Sequence, residues 1–113
     1  MKNPPNNNES KDVFEEFFER RQQEKYVLRL YIAGETPHSI RAFKKIKEIC
    51  ETYLKGRYEL EVIDIYENPE LMEEEQVVAI PTLIKKLPPP LQKFIGDMAN
   101  TEKILIGLDL LPY

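Results

Sequence analysis

Glu35 and His38, separated by Thr36 and Pro37 in the turn Ala33-Gly34-Glu35-Thr36-Pro37-His38-Ser39, are a conceivable acid–base pair. An imidazole and a carboxylate can pass a proton between them, but the step also needs a nucleophile or a cofactor, and nothing nearby supplies one. His38 is the sole histidine of the 113 residues. A triad or metal site built on it lacks His, Cys or Asp partners at ligand spacing, so it reads as a first-turn helix residue near solvent. Cys50 is the single cysteine. It falls on the apolar face of a helical stretch, where a thiol behaves as a small buried hydrophobe, and disulfide catalysis is excluded. Glu73-Glu74-Glu75 reads as a solvated helix face, because a calcium loop needs spaced ligands and a glycine turn. Gly34, Gly56, Gly96 and Gly107 form no phosphate-cradling loop. No catalytic, cofactor-binding or metal-ligating residue is therefore expected.

Charge offers more than catalysis does. Arg41, Lys44, Lys45 and Lys47 share a helix face that solvent can cover or an acidic partner can meet. A net charge of −4 and a pI near 5.1 argue against a nucleic-acid binder, which needs a basic stripe to displace counterions. No apolar run approaches the roughly 20 residues that span a bilayer. The stretch Met1–Asn8 lacks the apolar centre of a signal peptide, so the expected location is cytoplasmic.

The elements that position these residues divide into an extension, 1–25, and one domain, 26–113. Residues 1–8 are Pro/Asn-rich and expected to be disordered. Residues 9–25 read as an amphipathic helix with Val13, Phe14, Phe17 and Phe18 in a narrow stripe, to be buried on its own domain, on a sister subunit or on a partner. Tyr26–Ile32 is nearly continuous apolar sequence, as a central strand requires. Thr36 suits an N-cap and Pro37 the first helical position. Phe43, Ile46, Ile49/Cys50 and Tyr53/Leu54 then recur at helical spacing to about Leu54, with a stop near Gly56. Tyr58–Ile65 alternates into a second strand, which closes a βαβ unit with a parallel pair. Asn68-Pro69 repeats the cap-plus-proline device for a short acidic helix, Glu70 to about Gln76.

The second half supports two readings. In one, Pro81 opens a strand 82–87, Pro88-Pro89-Pro90 turns, 91–95 pairs back, and Asn100 or Thr101 caps a helix to Leu111. In the other, Pro90 starts a helix through Phe94 and the last run is a strand. Ile104–Leu111 satisfies both periods, and Gly107 weakens either element by up to about 1 kcal/mol.

The strand–turn–helix around Glu35 and His38, with Ile80-Pro81-Thr82 farther on, resembles the thioredoxin-like fold. Glu35 and His38 stand where its two redox cysteines would be. More specifically, Tyr26–Ser39, Tyr58–Ile65, Asn68–Leu71, Ala79–Leu83, Leu87–Pro90, Ile95–Asp97 and Glu102–Leu111 resemble the KaiB family of circadian-clock and clock-related bacterial proteins, in family order. The resemblance implies an α/β, KaiB-type thioredoxin-like domain with a βαβ amino-terminal half. Its carboxyl-terminal half would adopt either the oligomeric KaiB packing or a thioredoxin-like βαβαββα packing. It implies a non-catalytic regulator of a KaiC-like ATPase and autokinase, with a histidine kinase or other signalling protein as a further partner and a homo-oligomeric resting state, tetramer or dimer. Pro81, Pro88, Pro89, Pro90, Gly107 and Asp109 match positions that bias the two folds. Partner contact is expected at Arg41, Lys44 and Lys45, and at Phe14, Phe17 and Phe18. The departures are the extension, the ending at Pro112-Tyr113 without an acidic tail, and His38 for the usual Asn. An alternative is a thioredoxin-like adaptor in two-component or stress signalling that recruits partners through the Phe-rich helix, without KaiC.

Overall fold

The computed structural model describes residues 24–96 and 98–110, together with Val13. Strand β1, Tyr26–Ile32, is central to a four-stranded sheet ordered β2-β1-β3-β4. It runs parallel to β2, Tyr58–Asp64, with Tyr26 opposite Tyr58 and Ile32 opposite Asp64. It runs antiparallel to β3, Thr82–Leu87, which forms a hairpin with β4, Gln92–Ile95. A parallel pair cannot be joined by a tight turn, and helix α1, Pro37–Tyr53, makes the crossover. Two short helices follow, α2 at Pro69–Glu74 and α3 at Thr101–Gly107.

Of the two readings of the second half, the structure holds the hairpin followed by a helix. The Ile80–Pro81, Leu87–Pro88 and Pro89–Pro90 peptide bonds are cis. Helix α3 is shorter than its sequence pattern allows, ending at Gly107 rather than Leu111. Asp109, at φ +63°, turns the chain out of the helix. Its N–H reaches the Ile106 carbonyl at 3.0 Å and that of Leu110 reaches Leu105 at 2.8 Å. That paired closure satisfies carbonyls the helix leaves over.

Strand alternation sends Tyr26, Leu28 and Leu30 to one face of the sheet, where they join Ala42, Ile46, Ile49 and Cys50 of α1 and Ile104 and Leu105 of α3 in the main core. The opposite face holds a smaller cluster of Tyr31, Ile63, Val77 and Ile84, flanked by Leu71 and Met72 of α2. Two helix assignments need correction. Phe43 and Tyr53, expected on the buried stripe of α1, are 39% and 41% exposed, and Ala42 takes the inward position. The wide aromatics fall at the margin of a stripe that the small Ala42 lets approach the sheet. Asn68 precedes α2 without a side-chain capping bond, whereas Thr36 and Asn100 both cap as expected.

One buried bond ties the two halves together: the Tyr26 hydroxyl donates to the Leu108 carbonyl at 2.6 Å. Tyr26→Phe leaves that carbonyl without its partner, so we expect a loss of about 1–2 kcal/mol, measured by urea unfolding. An unchanged midpoint would show that water replaces the hydroxyl at no cost.

Candidate functional site

The turn between β1 and α1 occupies the position of a redox centre and carries none of its chemistry. The Thr36 Oγ1 accepts the Ser39 N–H at 3.4 Å and lies 2.8 Å from the Ser39 hydroxyl. The Ser39 Oγ accepts the Ala33 N–H at 3.0 Å. Asp64, at the end of β2, accepts the N–H groups of Gly34 at 3.2 Å and Tyr66 at 3.0 Å. Gly34, at φ +57°, has the Tyr66 ring 3.5 Å from where a Cβ would stand. These bonds commit the Thr36, Ser39 and Asp64 side chains to holding the turn. Ser39, which sequence reasoning did not single out, is buried and serves as the tie across the turn.

Glu35 and His38 are exposed, and the His38 Nδ1 lies 3.0 Å from an Arg41 guanidinium nitrogen. Pro81 is buried and its carbonyl accepts the Gly96 N–H at 3.0 Å. Burial pushes the Cys50 thiol up to about 12, with a smaller opposing pull from Lys47, so it stays protonated at neutral pH. Among the described residues, no three His, Cys, Asp or Glu side chains gather as a metal-binding set. Tyr66, whose ring lies over Gly34 of the turn, is 74% accessible.

The basic residues of α1 do come together with a second element. Arg41, Lys44 and Lys45 line a cavity of about 280 Å³ with Glu48, Met98 and Ala99, so the β4–α3 loop forms its other wall. A neighbouring cavity of about 470 Å³ continues past Met98 and Ala99 to Phe94, Ile95, Lys93 and Lys103. Within this surface the Lys45 ammonium lies 3.8 Å from the Glu48 carboxylate. Lys47 is not part of this surface: its ammonium turns to the Tyr58 hydroxyl at 2.9 Å. Phe14, Phe17 and Phe18 lie outside the described residues, and Val13 is exposed.

Glu75 departs from its expected role as one member of a solvated acidic run. It bonds Arg29 at 2.7 Å, Lys86 at 2.9 Å and the Tyr31 hydroxyl, while its neighbours Glu73 and Glu74 are exposed. Burial alone would raise its carboxyl, but the bonds from Tyr31, Lys86 and Arg29 outweigh it and hold the group at about 2. Burial and the same carboxylate push the Tyr31 phenol up to about 12.

Sheet order, crossover helix and the sealed turn define a thioredoxin-like domain that lacks the dithiol. Solved structures agree on the fold. Yeast mitochondrial thioredoxin 3, in its oxidised form, aligns with a TM-score of 0.63 at 20% identity over 87% of this chain and 90% of its own. The N-terminal domain of Synechococcus elongatus SasA aligns with a TM-score of 0.64 at 24% identity, covering 75% of this chain and 80% of that one. The KaiB domain family model matches residues 29–110, and the chain belongs to the KaiB family. It is 59% identical over 86 residues to the circadian clock oscillator protein KaiB of a Picosynechococcus species, covering 76% of this chain and 83% of that protein. The KaiB of Thermosynechococcus vestitus is 57% identical over 86 residues, with 80% of it covered. No helix among the described residues is long and apolar enough to cross a membrane.

Proposed function

We propose that this chain is a non-catalytic regulator that binds a KaiC-type ATPase and autokinase and modulates its phosphorylation state, in circadian timing or a clock-derived stress pathway. The observation that carries this reading is the 59% identity to a relative named as a circadian clock oscillator protein. Conversion of the redox turn into a hydrogen-bonded cap supports binding over catalysis, since Thr36 and Ser39 are spent on structure. The docking surface in this proposal is the basic face of α1 with the Met98–Ala99 wall, which combines charge for steering with apolar area for affinity. We assign Pro81, Pro88, Pro89, Pro90, Gly107 and Asp109 to the choice between this packing and an oligomeric one, tetramer or dimer.

The test is retention of the chain by an immobilised KaiC-type ATPase in the presence of ATP. The Arg41→Glu/Lys44→Glu/Lys45→Glu variant should bind at least about tenfold more weakly, with the loss growing at low salt. No complex with the unmodified chain after prolonged incubation would overturn the function. A complex that the charge reversals leave intact would overturn only the placement of the surface.

A further inference from the structure

Lys85 occupies a position that the rest of β3 gives to apolar side chains. It pairs with Leu28 of β1 on one side and Gln92 of β4 on the other. Directly opposite residues share a face, so Lys85 points with Leu28 into the layer that α1 and α3 cover. Its relative exposure is 0%, and its Nζ is the one buried side-chain nitrogen or oxygen among the described residues with no hydrogen-bond partner. Strand alternation in Thr82-Leu83-Ile84-Lys85-Lys86-Leu87 marks one lysine for each face, and Lys86 finds Glu75 on its side. Lys85 finds nothing.

What covers Lys85 follows from its neighbours. Gly107, at the end of α3, approaches the side chains of Phe94 and Gln92 on the β4 flank. Leu108 accepts the hydroxyl of Tyr26 on the β1 flank. The carboxyl end of α3 thus bridges the two strands on either side of Lys85. An ammonium taken out of water with no acceptor opposes the packing that buries it, and the opposition vanishes when water reaches it. Helix α3 buries Ile104 and Leu105, with Leu108 just past its end, so that opposition falls on a short element.

We propose that Lys85 is a built-in destabiliser of α3: its unpartnered ammonium keeps the helix poised to lift from the sheet, and lifting hydrates the charge. The device acts on this chain alone and does not require that the KaiC-type partner exist.

Native-state hydrogen exchange on the full chain tests it. In the unmodified protein the amides of α3 should exchange faster than those of Leu28 and Leu30 in β1, because α3 opens locally. Lys85→Met keeps an unbranched chain of similar volume and removes the charge. It should slow exchange at Ile104–Leu108 by about tenfold or more and narrow the gap to β1. Lys85→Arg retains a buried cation and should leave the gap open. Amine acetylation of the unmodified protein, read by mass spectrometry, gives an independent measure. Lys85 should label far more slowly than the exposed Lys44, and Tyr26→Phe should accelerate it without changing Lys44. A gap unchanged in Lys85→Met, or Lys85 labelling as fast as Lys44, would overturn the proposal.

Discussion

Glu75→Gln should lower the unfolding free energy at pH 7 by about 2–3 kcal/mol, an effect that neither Glu73→Gln nor Glu74→Gln should approach. Glu75 is clamped between strands that are distant in sequence, since Arg29 and Tyr31 come from β1 and Lys86 from β3. Its side chain is only 17% exposed, so solvent screens these bonds less than it screens a surface pair. Substitution leaves Lys86 and Arg29 with less compensation, although Arg29 keeps Glu61 at 2.8 Å. The pH dependence has a definite sign. The folded carboxyl titrates at about 2 against an ordinary value of 4.5, so the folded state favours the charged form. The stabilisation is complete above about pH 4.5 and is lost as pH falls toward 2. Urea unfolding at pH 7 and at pH 2.5 measures both parts, and the difference between the two proteins should shrink severalfold at the lower pH. A difference equal at both pH values would mean that Glu75 packs rather than pairs.

That result also marks where sequence reasoning stops. Two helix starts were legible from local chemistry: Thr36 with Pro37 opens α1, and Asn100 opens α3, because a cap needs only the residues beside it. The central strand was legible because both its faces are covered. Glu75, Lys85 and Ser39 were not. Each takes its meaning from groups on other elements: two strands for Glu75, the underside of α3 for Lys85, the end of β1 for Ser39. In sequence, Glu75 is the third of three equal glutamates and Lys85 the first of two equal lysines. The sheet register separates the two lysines, and register depends on the whole hydrophobic pattern rather than on neighbours; Glu75 differs from Glu73 and Glu74 by standing just past the end of α2. The site divided the same way. The loss of the dithiol could be read from Glu35 and His38, whereas the pairing of the basic α1 face with Met98 and Ala99 required the third dimension.

Gly107→Ala should destabilise this packing by about 1–2 kcal/mol, and Phe94→Ala in the same chain should remove most of that penalty. An ideal Cβ at Gly107 would stand 2.3 Å and 2.6 Å from two atoms of the Phe94 ring, closer than carbon atoms approach. Either the ring turns out of the core margin or the end of α3 lifts. The helix-propensity gain of alanine, at most about 1 kcal/mol, is reduced because Gly107 is the last helical residue. Phe94→Ala alone should also cost about 2 kcal/mol, since the ring packs against the main core. In the double variant the new methyl enters the space that the ring vacated. The two costs should therefore fall short of their sum by at least about 1 kcal/mol, as urea unfolding of all four proteins would show. Additivity within about 0.5 kcal/mol would mean that α3 does not lie on β4 in solution as it does here. The coupling is specific to this arrangement, because Gly107 and Phe94 meet only while α3 covers the hairpin. Gly107 is then required by close approach of helix to strand, a reason that its backbone angles alone do not supply.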